Sequence, residues 1–144
     1  MVRVATQKDI ETISKMAINV FTNSKEQELK VEFENLLKDK NVCLIVKEEK
    51  NQIVGFAQVG LRVDYVEGCE TSPVGYLEGI FVMPPYRNKG YAKELIKYAE
   101  SWAKEKGCSE FASDCELENL ESLAFHLSIG FEEQNRIICF KKNI

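Results

Sequence analysis

The chain has 144 residues, of which 44% are hydrophobic and 29% charged, and this length suits one domain with a sizeable core. Its 19 Lys and Arg residues and 23 Asp and Glu residues give a net charge of −4, which argues against a protein that binds nucleic acid through phosphate contacts. The sequence lacks an apolar signal segment or membrane span, and five cysteines without a C-x-x-C pair favour reduced thiols in the cytoplasm over disulfides or a zinc site.

The N-terminal half contains two helix patterns between strand patterns. Residues 2–5 alternate like a short strand, and Thr6 with Asp9 resembles a capping box that opens a helix reaching Phe21. A second amphipathic helix is predicted from about residue 27 to 39. Segments 42–47 and 53–62 flank a turn and predict an antiparallel hairpin.

The C-terminal half continues with a loop over 63–73 and a central strand over 75–82. The most regular helix is predicted from Gly90 to Lys106, with Gly107 as its stop signal. A short strand at 110–113 and a helix at 119–129 follow, and the inward residues of that helix are expected to be Leu120, Leu123, Ala124 and Leu127. A last strand is predicted from Phe131, ending with 137–141. No linker or repeat divides the chain, so we expect residues 1–144 to form a single α/β domain.

The segment from Val82 to Ala92 (VMPPYRNKGYA) lies between a predicted strand and a predicted helix. Gly90 permits a close turn, the first N–H groups of the helix are free, and Arg87 and Lys89 add positive charge, which together suit a pyrophosphate. An ordinary strand–helix connection is the alternative. Neither G-x-x-x-x-G-K-[ST] nor G-x-G-x-x-G occurs in the chain.

Two motifs resemble those of the GNAT superfamily of N-acetyltransferases. Residues 87–92 match its R-x-x-G-x-A acetyl-CoA loop, and Asn119, His126 and Gly130-Phe131 match its N-x6-Y/H-x3-G-F spacing. Within the superfamily, the sequence from about Gly55 to Lys141 is similar to the aminoglycoside 6′-N-acetyltransferases.

The resemblance implies a splayed, mostly antiparallel sheet flanked by helices, with acetyl-CoA entering between two central strands and no metal. It implies that the N–H near Val82 polarises the thioester carbonyl. The cosubstrate-binding residues it implies are Ile80, Phe81, Val82, Arg87, Asn88, Lys89, Gly90, Tyr91, Ala92, Asn119 and His126.

Glu78 is the candidate base. An alkyl ammonium with a pKa of about 10 must lose a proton before it accepts an acetyl group. A carboxylate in an otherwise apolar strand is costly unless it faces a polar cleft, and Gly79 beside it predicts a bulge that turns it toward the substrate. The alternatives are a substrate clamp acting through water and a Glu at a solvated strand edge.

His126, the single histidine, occupies the position where many GNAT relatives carry a tyrosine thought to protonate the departing thiolate. A histidine has a suitable pKa for that role. The alternative is a helix residue that packs or only hydrogen-bonds the cosubstrate.

Acidic residues form two blocks, 63–86 with four acids and 107–135 with seven, and neither contains Lys or Arg. If the blocks meet at the cleft, they attract a cationic acceptor; a solvated acidic face is the alternative. The resemblance assigns Asp64, Tyr65, Glu78 and Asp114 to the acceptor site, with Phe21 where relatives commonly carry a tryptophan.

The sequence therefore predicts transfer of acetyl from acetyl-CoA to the 6′-amino group of an aminoglycoside antibiotic. The same chemistry on a polyamine or another cationic small-molecule amine is the alternative, and a non-catalytic acyl-CoA-binding module is a further one. A cysteine hydrolase is disfavoured, because no cysteine lies in a nucleophile motif with His126. Several relatives form dimers, so a homodimer is expected.

Overall fold

A computed structural model describes all 144 residues, and five strands form one sheet in the order β1-β2-β3-β4-β5. The strands are β1 (Val2–Val4), β2 (Val42–Glu49), β3 (Gln52–Arg62), β4 (Val74–Val82) and β5 (Phe111–Ala112). The helices are α1 (Ile10–Ala17), α2 (Glu26–Leu36), α3 (Tyr91–Glu105) and α4 (Leu120–Ser128), with 3₁₀ turns at Gln7–Asp9 and Pro84–Tyr86. β1 to β4 pair antiparallel and β5 runs parallel to β4, so the predicted mixed, mostly antiparallel sheet is confirmed.

Asp9 fixes the 3₁₀ turn that leads into α1. Its carboxylate accepts a hydrogen bond from the N–H of Thr6 at 2.8 Å, which completes the predicted capping box. The same carboxylate receives two bonds from the Arg3 guanidinium on β1, at 2.8 and 3.1 Å. Asp9 is 6% exposed, yet Arg3 holds the pKa of this carboxyl below its ordinary value against the opposing effect of burial. The first helix is thereby joined to the first strand.

Helices cover both faces of the sheet. Leu44 and Val46 of β2 pack in the core beneath α1 and α2, whereas Cys43 and Ile45 pack in the core beneath α3. Side chains alternate between the faces of a strand, so a strand covered on both sides needs apolar residues throughout. This arrangement accounts for the continuous apolar run over 42–46.

The sheet opens between β4 and β5. Only Gly75 with Phe111 and Tyr76 with Ala112 are paired, and β4 then continues to Val82 with no strand on that side. A gap therefore opens along residues 78–82, which confirms the predicted splayed sheet.

The predicted last strand, over Phe131 to Lys141, is wrong. Residues 131–144 have no regular secondary structure, and β5 ends too early to pair with a further long strand. Asn135 Nδ2 still donates to Glu67 Oε1 at 2.8 Å, but Ile138 and Phe140 beyond it are 80% and 90% exposed. The apolar pattern is present, but no neighbour in the chain covers it.

Helix α4 begins as predicted, because Oδ1 of Asn119 caps it by accepting from the N–H of Ser122 at 3.1 Å. The predicted inward face is partly wrong: Leu120 and Leu127 are 69% and 52% exposed, and Ala124 is also exposed. The side chains of this helix that pack against the α3 core are Phe125 and, just after its end, Ile129. An apolar residue at helical spacing was therefore not sufficient to identify the buried face.

Candidate active site

Glu78 is the extra residue of a bulge in β4. Its neighbours Leu77 and Gly79 pair with Val59 and Gln58, which are consecutive on β3, so Glu78 has no partner across the ladder. Gly79 leaves room for the Phe21 ring, since a Cβ at this position would lie 2.8 Å from Phe21 Cζ. The predicted bulge is present, and Phe21 packs against Gly79, the residue that follows Glu78.

The Glu78 carboxylate is held by Arg62, at the end of β3. Oε1 accepts from Nε at 3.0 Å and from Nη2 at 2.9 Å, and Oε2 accepts from Nη2 at 2.9 Å. The guanidinium also lies over the ring of Tyr76, 3.4 Å from its centroid. Sequence reasoning missed Arg62, because its partners lie on the next strand and the register of β3 on β4 was unknown.

Tyr76 connects Arg62 to a second carboxylate. Its ring is nearly buried at 6% exposure, and its hydroxyl donates to Asp114 just beyond β5. Burial, and then the bond to Asp114, raise the pKa of Tyr76 well above its ordinary value, so the hydroxyl keeps its proton as a donor. Glu78 and Asp114, both predicted from sequence, are thus two ends of one connected group of side chains.

His126 lies on α4, with both ring nitrogens in hydrogen bonds. Nδ1 is 2.7 Å from the carbonyl oxygen of Ser122, which can only accept, so Nδ1 carries a proton. Nε2 is 2.8 Å from Ser113 Oγ, and that hydroxyl lies 3.4 Å from the carbonyl oxygen of Leu77 on β4. Ser113 therefore stands between the imidazole and β4, a position that a lone serine in the sequence did not reveal.

The predicted phosphate loop turns sharply before α3. Asn88 and Gly90 have φ values of 63° and 82°, and Gly90 is the N-cap of the helix. When left-handed residues alternate with right-handed or extended ones, successive backbone N–H groups point to one side and can bind an anion. The free N–H groups of the first turn of α3 add further donors. Lys89 is exposed, and Tyr91 and Ala92 form the first helical positions.

Arg87 joins this loop to β4, since its Nε donates to the carbonyl oxygen of Val82 at 2.8 Å. The next residue along the strand, Met83, donates its N–H to Val54 on β3. Backbone groups alternate in direction along a strand, so the N–H of Val82 points away from β3. Ile80 and Phe81 precede it along the open part of β4.

The loop over 63–73 is fixed at its far end by Glu110. This carboxylate accepts from the N–H groups of Glu70 and Thr71, at 2.9 and 2.8 Å, and from the Thr71 hydroxyl at 2.5 Å. The Thr71 hydroxyl, followed by these amides, lowers the pKa of Glu110. Asp64 and Tyr65 are exposed and form no side-chain hydrogen bond.

The two acidic blocks are adjacent in the fold. They are linked by Glu110 to Thr71, by Asn135 to Glu67, and by Asp114 to Tyr76. The arginines that flank them in sequence, Arg62 and Arg136, pair with Glu78 and Glu133 at 2.9 and 2.6 Å. The surface between the blocks keeps an excess of carboxylates.

Elsewhere, a surface hollow between the N-terminus and α3 is lined by residues that include Lys47, Glu94 and Trp102 but not Glu78. No group of three or more His, Cys, Asp or Glu side chains is arranged to hold a metal ion. None of the helices has the length and apolar character needed to cross a membrane.

Comparisons with known proteins identify the family of the chain. The acetyltransferase (GNAT) family matches residues 10–131. The chain is 36% identical to the aminoglycoside N(6′)-acetyltransferase type 1 of Acinetobacter haemolyticus over 99% of this chain and 98% of that protein. It is 42% identical to the protein of the same name from Salmonella typhimurium over 76% of this chain and 75% of that protein.

Solved structures give the same result. The aminoglycoside acetyltransferase AAC(6′)-Iy, in complex with the bisubstrate analogue CoA-S-monomethyl-acetylneamine, is 33% identical with a TM-score of 0.94, over 100% of this chain and 98% of that one. The apo 6′-N-acetyltransferase AAC(6′)-IG from Acinetobacter haemolyticus is 35% identical with a TM-score of 0.90, over 100% of this chain and 99% of that one. The chain belongs to the GNAT acetyltransferase family.

Proposed function

We propose that this protein transfers the acetyl group of acetyl-CoA to the 6′-amino group of an aminoglycoside antibiotic and so confers resistance. The observation that carries the proposal is the Glu78 carboxylate, which lies at a bulge beside the gap in the sheet, on the strand that leads into the 87–92 loop. The family membership supports the donor, and the relatives named for aminoglycosides support the acceptor class.

The residues around the gap fit acetyl-CoA, which supplies an acetyl thioester. The N–H groups of the 87–92 loop would hold its pyrophosphate, because Asn88 and Gly90 turn the backbone so that these donors converge ahead of α3. The outward N–H of Val82, with the neighbouring backbone of Ile80 and Phe81, would contact the thioester arm and polarise its carbonyl. Asn119 caps α4, so its contribution to binding would be the placement of His126.

Glu78 is proposed to take the proton that the acceptor ammonium must lose, directly or through a water molecule. Its side chain is 29% exposed, which leaves it accessible, and Phe21 packs against the neighbouring Gly79. Asp114 and the surrounding acidic surface would bind further ammonium groups of the acceptor, with Asp64 and Tyr65 at the rim.

The test is release of CoA thiol from acetyl-CoA by the purified protein. The acceptors are neamine, an aminoglycoside with a hydroxyl at the 6′ position, spermidine and none. Among these acceptors, we expect only neamine to cause release of CoA thiol. Release with spermidine alone would transfer the proposal to polyamines, and binding of acetyl-CoA without release from any acceptor would leave a binding module.

Glu78→Gln is the matched variant for this assay. It keeps the shape of the side chain and one oxygen that accepts from Arg62, loses the second acceptor oxygen and removes the base, so turnover should fall by about 100-fold or more while affinity for acetyl-CoA is retained. Glu105→Gln, on the exposed end of α3, should behave as wild type. Unchanged turnover of Glu78→Gln across the pH range would exclude Glu78 as the base.

We also propose that the protein is a cytoplasmic homodimer with no membrane or nucleic-acid partner. The exposed apolar side chains of the C-terminal segment support self-association, since a second copy is one means of covering them. The five free cysteines support a reducing compartment.

A further inference from the structure

We propose that Arg62 is a positioning residue for acetyl transfer, which fixes the Glu78 carboxylate and couples it to Asp114 through Tyr76. This inference rests on the proposed function, because it assigns the acceptor to Glu78. The two carboxylates would then act as one preformed site for the acceptor.

The bulge creates the need for such a residue. Glu78 has no paired residue across the ladder, and its carboxylate has no hydrogen-bond partner other than Arg62. A carboxylate offers about four lone-pair positions. Arg62 uses both positions on Oε1 and one on Oε2, which leaves one position on Oε2 for the acceptor amine or a water molecule. Arg62 therefore determines which oxygen is available and where it points.

Arg62 is itself fixed from beneath. Its side chain is 44% exposed, but the guanidinium lies 3.4 Å from the centroid of the Tyr76 ring, which is nearly buried. Tyr76 in turn donates to Asp114. The series Asp114, Tyr76, Arg62 and Glu78 joins the end of β3, the first half of β4 and the residues just after β5. A planar guanidinium can stack on a ring and bind a carboxylate with two N–H groups at once, whereas a lysine ammonium cannot.

A purely structural ion pair would give a different result. Exposed pairs of this kind contribute little to stability, so melting temperature alone does not test the proposal. The chain offers a matched control in Arg136, which pairs with Glu133 at 2.6 Å and is similarly exposed at 59%. In a second alternative, the Arg62 guanidinium occupies the position of the acceptor ammonium and must leave it before the acceptor binds. Removal of Arg62 would then strengthen acceptor binding.

The experiment compares Arg62→Gln, Arg62→Lys and Arg136→Gln with wild type, and each is also combined with Glu78→Gln. We expect kcat with neamine to fall about ten-fold or more in both Arg62 variants, with the Kd for acetyl-CoA and the melting temperature unchanged and Arg136→Gln like wild type. In the Glu78→Gln background, Arg62→Gln should have no further effect on kcat, because Arg62 acts through that carboxylate.

Wild-type kinetics in Arg62→Gln, or the same loss with and without Glu78→Gln, would overturn the proposal. Calorimetric titration of neamine into the protein saturated with CoA provides a readout that is independent of turnover. Weaker neamine binding to Arg62→Gln than to Arg136→Gln supports positioning, and equal or tighter binding overturns it. If wild type released no thiol with any acceptor, the proposed function would fail, while this titration would still decide the role of Arg62.

Discussion

His126 holds both of its ring nitrogens in hydrogen bonds, so any proton it delivers must leave through one of them. Nδ1 donates to the backbone of its own helix, whereas Nε2 meets Ser113 on the side of the gap. Because Nδ1 already carries a proton, Nε2 carries one only when the ring is an imidazolium. That proton would pass to Ser113 Oγ while the hydroxyl gives its own proton to the departing thiolate, which leaves a neutral imidazole, a neutral serine and the CoA thiol. If His126 is the acid for the departing thiolate, Ser113 lies on the route.

Ser113→Ala should therefore lower kcat nearly as much as His126→Ala, by about 100-fold, with little change in KM for acetyl-CoA. Thiol release under saturating acceptor measures this. Ser128→Ala is the control, since Ser128 bonds only the carbonyl of Phe125 on the exposed side of α4. A slow His126→Ala enzyme beside a normal Ser113→Ala enzyme would exclude the relay.

Sequence reasoning identified single residues where the residue type itself carried the chemistry. Glu78, His126 and Asp114 stand out as a carboxylate in an apolar strand, a lone imidazole and an acid at a strand end. Arg62 and Ser113 did not stand out, because each acquires its role from a neighbour on another strand or helix. Such roles depend on strand register, which the sequence does not specify.

Among the elements, α3 depends on a left-handed residue at each end. Gly90 and Gly107 have φ values of 82° and 92°, and a Cβ at either position would meet nothing within 4 Å. An alanine at either position thus encounters only backbone strain, of about 1–2 kcal/mol. The two positions differ in location, since Gly90 belongs to the phosphate loop and Gly107 follows the opposite end of the helix.

Gly90→Ala and Gly107→Ala should lower the free energy of unfolding by similar amounts, about 1 kcal/mol each. Gly90→Ala alone should raise the KM for acetyl-CoA, because its loop N–H groups would no longer converge. Urea unfolding and steady-state kinetics on the pair test this. Equal KM values for acetyl-CoA in the two variants would separate the loop from cosubstrate binding.

The junction of β1 and α1 predicts a pH dependence. The pKa of Asp9 is lowered in the folded protein, chiefly by Arg3, so the unfolded chain binds its proton more readily. The stabilisation is complete above the unfolded pKa near 4 and is lost as the pH falls through the lower folded pKa.

Asp9→Asn should cost about 2 kcal/mol at pH 7, and the difference from wild type should shrink as the pH falls below about 4. Urea unfolding at several pH values checks this, with Glu11→Gln on the exposed face of α1 as the control. A difference that stays constant down to acidic pH would show that Asp9 does not stabilise the protein through its charge.

At the scale of the whole molecule, most of the element order followed from periodicity and from turn residues, and the failures lie at the C-terminus. The apolar pattern of 131–141 indicated a strand, but a strand also needs an edge to pair with, and β5 has two residues. The inward face of α4 was misassigned because no residue of that helix is fully buried, so its apolar spacing does not mark a packed face. The spacing of apolar residues is a property of the segment itself, whereas strand pairing and side-chain burial depend on the elements that surround it.

The exposed C-terminal segment predicts self-association in solution. Light scattering should give a dimer, with twice the chain mass of 16.5 kDa. The double variant Ile138→Ser, Phe140→Ser should shift the protein toward the monomer mass. The reason is that these side chains, 80% and 90% exposed in one chain, would be buried in a dimer. Val31→Ser, an exposed position on α2, is the control. A monomer at every concentration would contradict the homodimer.

The meeting of the two acidic blocks also has a kinetic consequence. The two segments contain eleven carboxylates and no Lys or Arg, and only Glu78 and Glu133 are paired with flanking arginines. The other nine create a field that draws a polycation toward the gap before any specific contact forms. At physiological ionic strength this field decays over about 8 Å, so it acts on molecules already near the surface. Dissolved salt therefore governs how often an acceptor is captured, whereas the fate of a captured acceptor depends on the side chains within the gap.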